Sequence, residues 1–146
     1  MDRYYFVKPW KELQSGEHQA ITSFALQLSE RFNAKLAICV HSISHCEQIL
    51  EKCFPLKTQV NKLLRRELLI INNVPIVIES VKTIKKSVDH QSRIYLALFP
   101  SPELLSLIEK SNSKKAIIVF SETLDSDHLI DWKEKFNPSI LESKEV

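Results

Sequence analysis

The sequence predicts an α/β fold built on a mainly parallel sheet, and three observations support this. Short apolar runs alternate with amphipathic stretches along the whole chain. The runs lack polar alternation, which is typical of strands buried on both faces of a parallel sheet. The chain has 146 residues, 44% hydrophobic and 26% charged, the composition of one globular domain. We therefore predict a single three-layer (αβα) domain, Rossmann-like or flavodoxin-like, with about five strands.

Five apolar runs are the predicted strands. Parallel neighbours need a crossover connection, so a helix is expected between successive strands, with right-handed crossovers. The predicted strands are Tyr4–Val7, Leu36–Val40, Pro75–Ile78, Ile94–Phe99 and Ala116–Phe120.

The first two connections carry helix signals. Ser15 can cap the first helix, whose apolar side chains recur at helical spacing as far as Asn33. Ser44 and Glu47 form the S-x-x-E pattern of a capping box, which predicts the start of a second helix. Pro55 ends that helix, because proline cannot continue it.

Residues 67–78 fit two different structures. A basic amphipathic helix is predicted from about Thr58, and its apolar periodicity continues through Leu68–Ile71. That segment and Val74–Ile78 also flank Asn72-Asn73, a pair that suits a two-residue hairpin turn. The periodicity favours the helix, and the hairpin stays open as the alternative.

The remaining connections are shorter. Val81–Val88 links the third predicted strand to the fourth. Ser101-Pro102-Glu103 then supplies a helix N-cap, a proline at the first helical position and an acid at the positive helix end. The last helix is expected to begin near Asp125 or Ser126.

One domain accounts for most of the chain. The last helix is expected to end at Asn137-Pro138, because proline cannot continue a helix. We therefore assign residues 1–138 to a single α/β domain. Residues 139–146 are predicted to form a polar, flexible tail.

The glycine count excludes several functions. Gly16 is the single glycine, whereas phosphate loops and the dinucleotide fingerprint need two or three glycines. The net charge of +2 is too small to indicate a nucleic-acid or membrane partner. No cofactor is therefore predicted.

The three cysteines indicate a reducing compartment. Cys39, Cys46 and Cys53 are spaced seven apart and form no C-x-x-C pair, so zinc-ribbon and thioredoxin motifs are absent. The apolar run Tyr4–Val7 is too short for a secretory signal, and no run approaches the length of a membrane helix. We expect a cytoplasmic protein with reduced thiols and no membrane association.

A ligand site is expected at the carboxyl ends of the strands, near the point where the strand order reverses. Polar or aromatic side chains that follow the predicted strands are the candidates for binding a ligand there. These candidates are Lys8, Trp10, His41, Ser42, Ser44, Glu79, Ser101 and Ser121.

The densest group of reactive side chains is His41–Cys46. A cysteine in the first turn of a helix gains thiolate character, and a neighbouring histidine can accept its proton. His41, His45 and Cys46 are therefore the catalytic candidates. The alternative, which we favour, is a packing cysteine among polar loop residues. No metal site is expected, because the spacing matches no zinc-binding pair.

A basic stretch spans residues 57–93, with eight basic and three acidic residues. No aromatic side chain lies among the basic ones to stack a base, so solvated helix faces are favoured over nucleic-acid binding. The basic side chains considered are Lys62, Arg65, Arg66, Lys82, Lys85 and Lys86.

Three function classes are compatible with this sequence. We favour a non-catalytic binding or regulatory module that takes a protein partner or a small ligand at the carboxyl ends of the strands. A small hydrolase or transferase using the His41–Cys46 loop is the alternative, and a nucleic-acid or nucleotide binder is the third. The fold alone cannot choose among them, and a homo-oligomer is compatible with each.

Overall fold

A computed structural model of the protein describes residues 1–13, 15–85, 91–123 and 127–142, with the backbone alone at Ser15. This part of the chain forms an α/β fold with one sheet of seven strands. The strands are β1 Asp2–Lys8, β2 Lys35–Cys39, β3 Leu69–Ile71, β4 Val74–Glu79, β5 Arg93–Leu98, β6 Lys114–Glu122 and β7 Ser139–Ile140. The α-helices are α1 Ser15–Phe32, α2 Glu47–Cys53, α3 Lys57–Leu64, α4 Val81–Ile84, α5 Pro102–Glu109 and α6 Asp127–Phe136.

The sheet order is β3-β4-β2-β5-β6-β1-β7. All neighbouring strands are parallel except β3, which is antiparallel to β4. The five predicted strands are β1, β2, β4, β5 and β6, and β3 and β7 extend the sheet at its two edges. The first strand lies between β6 and β7, whereas the first strand of a Rossmann sheet is central.

Helices cover both faces of the sheet. Helices α1, α2 and α3 pack on one face, against side chains such as Leu36, Ile38 and Phe120. Helices α5 and α6, with Val81 of α4, pack on the other face. They contact strand side chains that point to that face, such as Tyr95 and Val119. None of the helices in the described ranges combines the length and the hydrophobicity of a membrane-spanning segment.

The prediction that the helix continues through residues 67–71 is wrong. The alternative prediction, a β-hairpin, is confirmed. Arg66 takes φ 58° and ends α3, with Glu67 N–H donating to Lys62 O at 2.8 Å, as in a Schellman motif. Asn72 and Asn73 take φ 51° and 65°, the left-handed pair that a type I′ turn requires. The turn chemistry and the left-handed helix end therefore outweigh the helical periodicity.

The predicted tail also differs from the structure. Ser139–Ile140 pair with β1 as β7, and Leu141 N–H donates to Tyr5 O at 2.9 Å. Leu141 is only 6% exposed, so burial of this apolar side chain holds the segment against the sheet. The rest of the predicted tail, residues 143–146, lies outside the described residues.

One of the predicted helix caps is present in the structure and another is not. Ser101 caps α5 as predicted, accepting a hydrogen bond from Leu104 N–H at 3.2 Å. The predicted Ser44 capping box is wrong, because a 3₁₀ turn over Ile43–His45 intervenes and α2 begins at Glu47. The predicted cap at Ser15 and the predicted helix start at 125–126 lie outside what the structure describes.

Candidate functional site

The main candidate site is a pocket of about 430 Å³ at the carboxyl ends of β2 and β5. The chain leaves β2 toward α2 on one face of the sheet and leaves β5 toward α5 on the other. Neighbouring strands whose connections diverge in this way open a crevice between them. Five sequence-predicted residues line the pocket, namely Trp10, His41, Ser42, His45 and Cys46.

One wall of the pocket is aromatic. Trp10 is 62% exposed, and its ring centroid lies 6.4 Å from that of Phe99. Phe99 takes φ 47° directly after β5 and also packs against Phe120 with ring centroids 5.8 Å apart. The buried ring of His18 lies 6.3 Å from Phe99 and extends this aromatic layer beneath the pocket.

The opposite wall comes from α2. Gln48 and Lys52 are four residues apart, so they share a helix face, and both line the pocket. Lys52 Nζ lies 5.6 Å from the centre of the Trp10 ring, which places a cation over the exposed indole. The sequence did not predict the α2 wall, because Gln48 and Lys52 lie in a helix rather than directly after a strand, although their i, i+4 spacing is a signal for a shared helix face.

A histidine and a serine from two strand ends meet beside the pocket. His41 Nδ1 lies 2.9 Å from Ser101 Oγ, although the two residues are 60 positions apart. Ser101 Oγ already accepts from Leu104 N–H, so its own hydroxyl hydrogen is available to donate to His41 Nδ1. The contact joins the β2 and β5 loops across the crevice.

Cys46 lacks the properties of an activated nucleophile. The residue is only 4% exposed, and its Sγ donates a weak hydrogen bond to Ile43 O at 3.2 Å. Burial raises the pKa of the Cys46 thiol, which opposes the thiolate character expected from its place at the helix start. The packing interpretation of this cysteine is therefore the better one.

The same reasoning predicts slow alkylation of the cysteines in the native protein. Burial raises the pKa of the Cys53 thiol to about 11, and it also raises that of Cys39. We expect Cys53 to react with iodoacetamide at neutral pH at least about a hundredfold slower than free cysteine. Mass spectrometry of the labelled peptides measures each rate, and unfolding in urea should equalise them. A Cys46 rate above that of free cysteine would contradict the packing interpretation.

Glu79 is not part of the pocket. Its side chain is buried at the end of β4, where Oε1 lies 3.4 Å from Arg66 Nη2 and 3.7 Å from Arg93 Nη1. Thr83 Oγ1 donates to Glu79 Oε2 at 3.0 Å. Glu79 therefore belongs to an internal ion cluster rather than to the lining of this pocket.

Three further candidates lie away from the pocket lining. Lys8 Nζ pairs with Glu142 at 2.9 Å, and Ser121 is buried at the end of β6. Ser44 Oγ lies 2.8 Å from Ser42 Oγ, so it supports the loop rather than lining the cavity.

The basic stretch is divided between the two faces of the sheet. Lys62 and Arg65 lie in and directly after α3 on one face, whereas Lys82 and Lys85 lie in and after α4 on the other. Lys85 pairs with Glu103 at 3.2 Å, and Arg66 pairs with Glu79 as above. Lys86 lies outside the described residues. Among the described basic side chains, those of α3 and those of α4 therefore lie on different faces of the sheet.

No family model matches the chain, and no curated protein matches it significantly. Within the described ranges, no three His, Cys, Asp or Glu side chains converge in a way that could hold a metal ion.

Proposed function

We propose that the protein is a non-catalytic binding module whose pocket takes a small ligand with a planar ring and an anionic group. The proposed site is the one at which Rossmann-like sheets bind ligands. It is the crevice beyond the carboxyl ends of neighbouring strands whose connections leave on opposite faces. The observation that carries it is the exposed Trp10 ring at the mouth of a pocket of about 430 Å³, a volume in the range of small-molecule sites.

The planar ring is argued from the aromatic wall. Trp10 leaves most of its large apolar surface in water, although Phe99 packs against one side of it. A flat ligand inserted beside the indole would bury that surface and stack on it, and stacking of this kind contributes about 1 to 3 kcal/mol.

The anionic group is argued from the charges of the pocket. The described residues that line it include Lys52, His41 and His45 but no Asp or Glu. Gln48 and Ser42 add neutral hydrogen-bond donors to the lining of the pocket. A carboxylate or phosphate would therefore meet donors and a cation without a repelling carboxylate.

We expect 2-naphthoate to bind about fivefold more tightly than the uncharged 2-naphthalenemethanol, because Lys52 attracts its carboxylate. Lys52→Met should remove this preference while leaving the affinity for the alcohol unchanged. Trp10→Ala should weaken both probes about tenfold, because both lose the stacking surface. Isothermal titration calorimetry at low salt measures the six affinities, two for each of the three proteins.

Lys11→Met is the matched control, since Lys11 is an exposed lysine next to Trp10 that does not line the pocket. It should leave both affinities unchanged. Equal affinities of the two probes for the unmodified protein would contradict an anion site, and an unchanged affinity in Trp10→Ala would contradict a stacking site.

A small hydrolase is the second candidate, and the His41–Ser101 contact of 2.9 Å is the observation that favours it. Ser101 would act as the nucleophile and His41 as the base that accepts its proton, rather than Cys46. A fluorophosphonate distinguishes the two functions, because it forms a bond to an activated serine oxygen with loss of fluoride. Labelling of Ser101 that depends on His41 would favour the hydrolase, and absence of labelling would favour the binding module.

A further inference from the structure

The β3 edge has backbone groups that suit pairing with another strand. β3 is the last strand of the sheet, and in the described part of the chain no strand pairs with its outer edge. The register Ile71↔Val74 closes the two-residue turn, so Ile70↔Pro75 is the pair without mutual hydrogen bonds. Pro75 has no N–H and fits that position. Ile70 therefore directs its N–H and C=O outward from the sheet.

The same edge exposes apolar side chains on one face. Leu68 is 63% exposed and Ile70 is 55% exposed, and residues two apart in an extended chain point to the same side. Leu69, between them, points to the opposite side and is buried in the core. Isolated exposed apolar residues are common, but two of them beside an open strand edge form a template for pairing.

The charges around this edge are mainly positive. Lys57, Lys62 and Arg65 are exposed in α3 and directly after it, and α3 runs into β3 through a short connection. Glu67 is the one exposed acid between Lys57 and Ile71. A second copy that paired through its own β3 would bring two basic edges together, which opposes that arrangement.

We propose that the β3 edge binds an extended segment of a protein partner in which acidic side chains alternate with apolar ones. The segment adds a strand to the sheet through the outward backbone groups of Ile70. Its apolar side chains cover Leu68 and Ile70, and its acidic side chains face Arg65 and the lysines of α3. This surface lies apart from the pocket, so the inference does not depend on the proposed ligand.

A peptide of alternating glutamate and valine tests the proposal, with a lysine–valine peptide as its charge-reversed counterpart. In ¹H–¹⁵N NMR spectra at low salt we expect the glutamate peptide to shift the amides of residues 68–72, with Ile70 N–H shifting most. Arg65→Glu should weaken this binding about fivefold, because a favourable charge becomes a repulsive one. Ile70→Lys should abolish it.

Ile130→Lys is the matched control, since Ile130 is an exposed isoleucine in α6 whose change should leave binding unaltered. No shift with the glutamate peptide at about 1 mM, the weak end of measurable affinity, would overturn the proposal. Equal shifts with the lysine–valine peptide would overturn the inference that the partner segment is acidic. Concentration-dependent shifts of the same amides without peptide would assign the edge to a second copy instead.

Discussion

Glu79→Gln is expected to lower the free energy of unfolding by about 3 kcal/mol, because it removes the negative charge from beside the buried guanidinium of Arg93. The Glu79 side chain is 4% exposed and that of Arg93 5%, with the two groups 3.7 Å apart. Removing one partner of a buried pair is costly, whereas the intact pair need not be stabilising. In a domain of this size the melting temperature should fall by about 6 to 12 °C. Urea denaturation followed by circular dichroism measures the change.

Two further variants test the cause of that loss. Glu103→Gln removes a carboxylate from the exposed Lys85 pair, in which both side chains are more than half exposed, and should change stability by less than about 0.5 kcal/mol. Combining Glu79→Gln with Arg93→Met removes both buried charges and should recover part of the loss. A double variant less stable than Glu79→Gln would show that packing of the Arg93 side chain, rather than loss of its charge interaction with Glu79, decides the effect.

Glu109→Gln is expected to lower the free energy of unfolding by about 2 kcal/mol at neutral pH and to reduce its dependence on acidic pH. Glu109 Oε2 accepts from Arg3 Nε at 2.9 Å and from Trp132 Nε1 at 2.7 Å, and Oε1 accepts from Arg3 Nη2 at 2.7 Å. These three bonds connect β1, α5 and α6. Glutamine can keep only part of this set, because its amide nitrogen cannot accept a hydrogen bond.

The direction of the pH dependence follows from the Glu109 pKa. Burial alone would raise it, but the hydrogen bonds from Arg3 and Trp132, with the charges of Arg3 and Lys114, outweigh burial and lower it below the ordinary value of 4.5. A carboxyl whose pKa is lower in the folded state stabilises the fold above its unfolded-state pKa. That stabilisation is lost as the pH falls through the folded-state pKa. The difference in stability between the unmodified protein and Glu109→Gln should therefore shrink as the pH falls below about 4.5.

Fluorescence of the two tryptophans during urea titrations at several pH values measures this difference. Glu134→Gln, an exposed glutamate of α6, is the control and should leave the pH dependence unchanged. A difference that stays constant from neutral to acidic pH would contradict a lowered Glu109 pKa.

The sequence predicted β1, β2, β4, β5 and β6 because each contains an apolar run without alternation, a pattern that reflects burial on both faces. It offered β3 only as the less favoured alternative and did not predict β7. The helical periodicity before Leu69 masked a hairpin that depends on Asn72 and Asn73 adopting left-handed backbone, a preference weaker than that of glycine. Ser139–Ile140 is two residues long, and it becomes a strand only because β1 offers an open edge beside it.

Some features of the pocket could also be predicted from the sequence, and others could not. From the sequence it follows that His41, Ser42 and Trp10 come directly after strands, and parallel strands bring their carboxyl ends to one edge of the sheet. Which strands become neighbours was decided by the tertiary structure alone. Pairing of β2 with β5 brings His41 within 2.9 Å of Ser101, and packing of α2 places Lys52 beside Trp10. Pairing of β4 with β2, with Arg93 reaching across, instead buries Glu79 in an ion cluster. Local patterns encode which residues are strand or helix, but strand order depends on the packing of distant segments, which no local pattern contains.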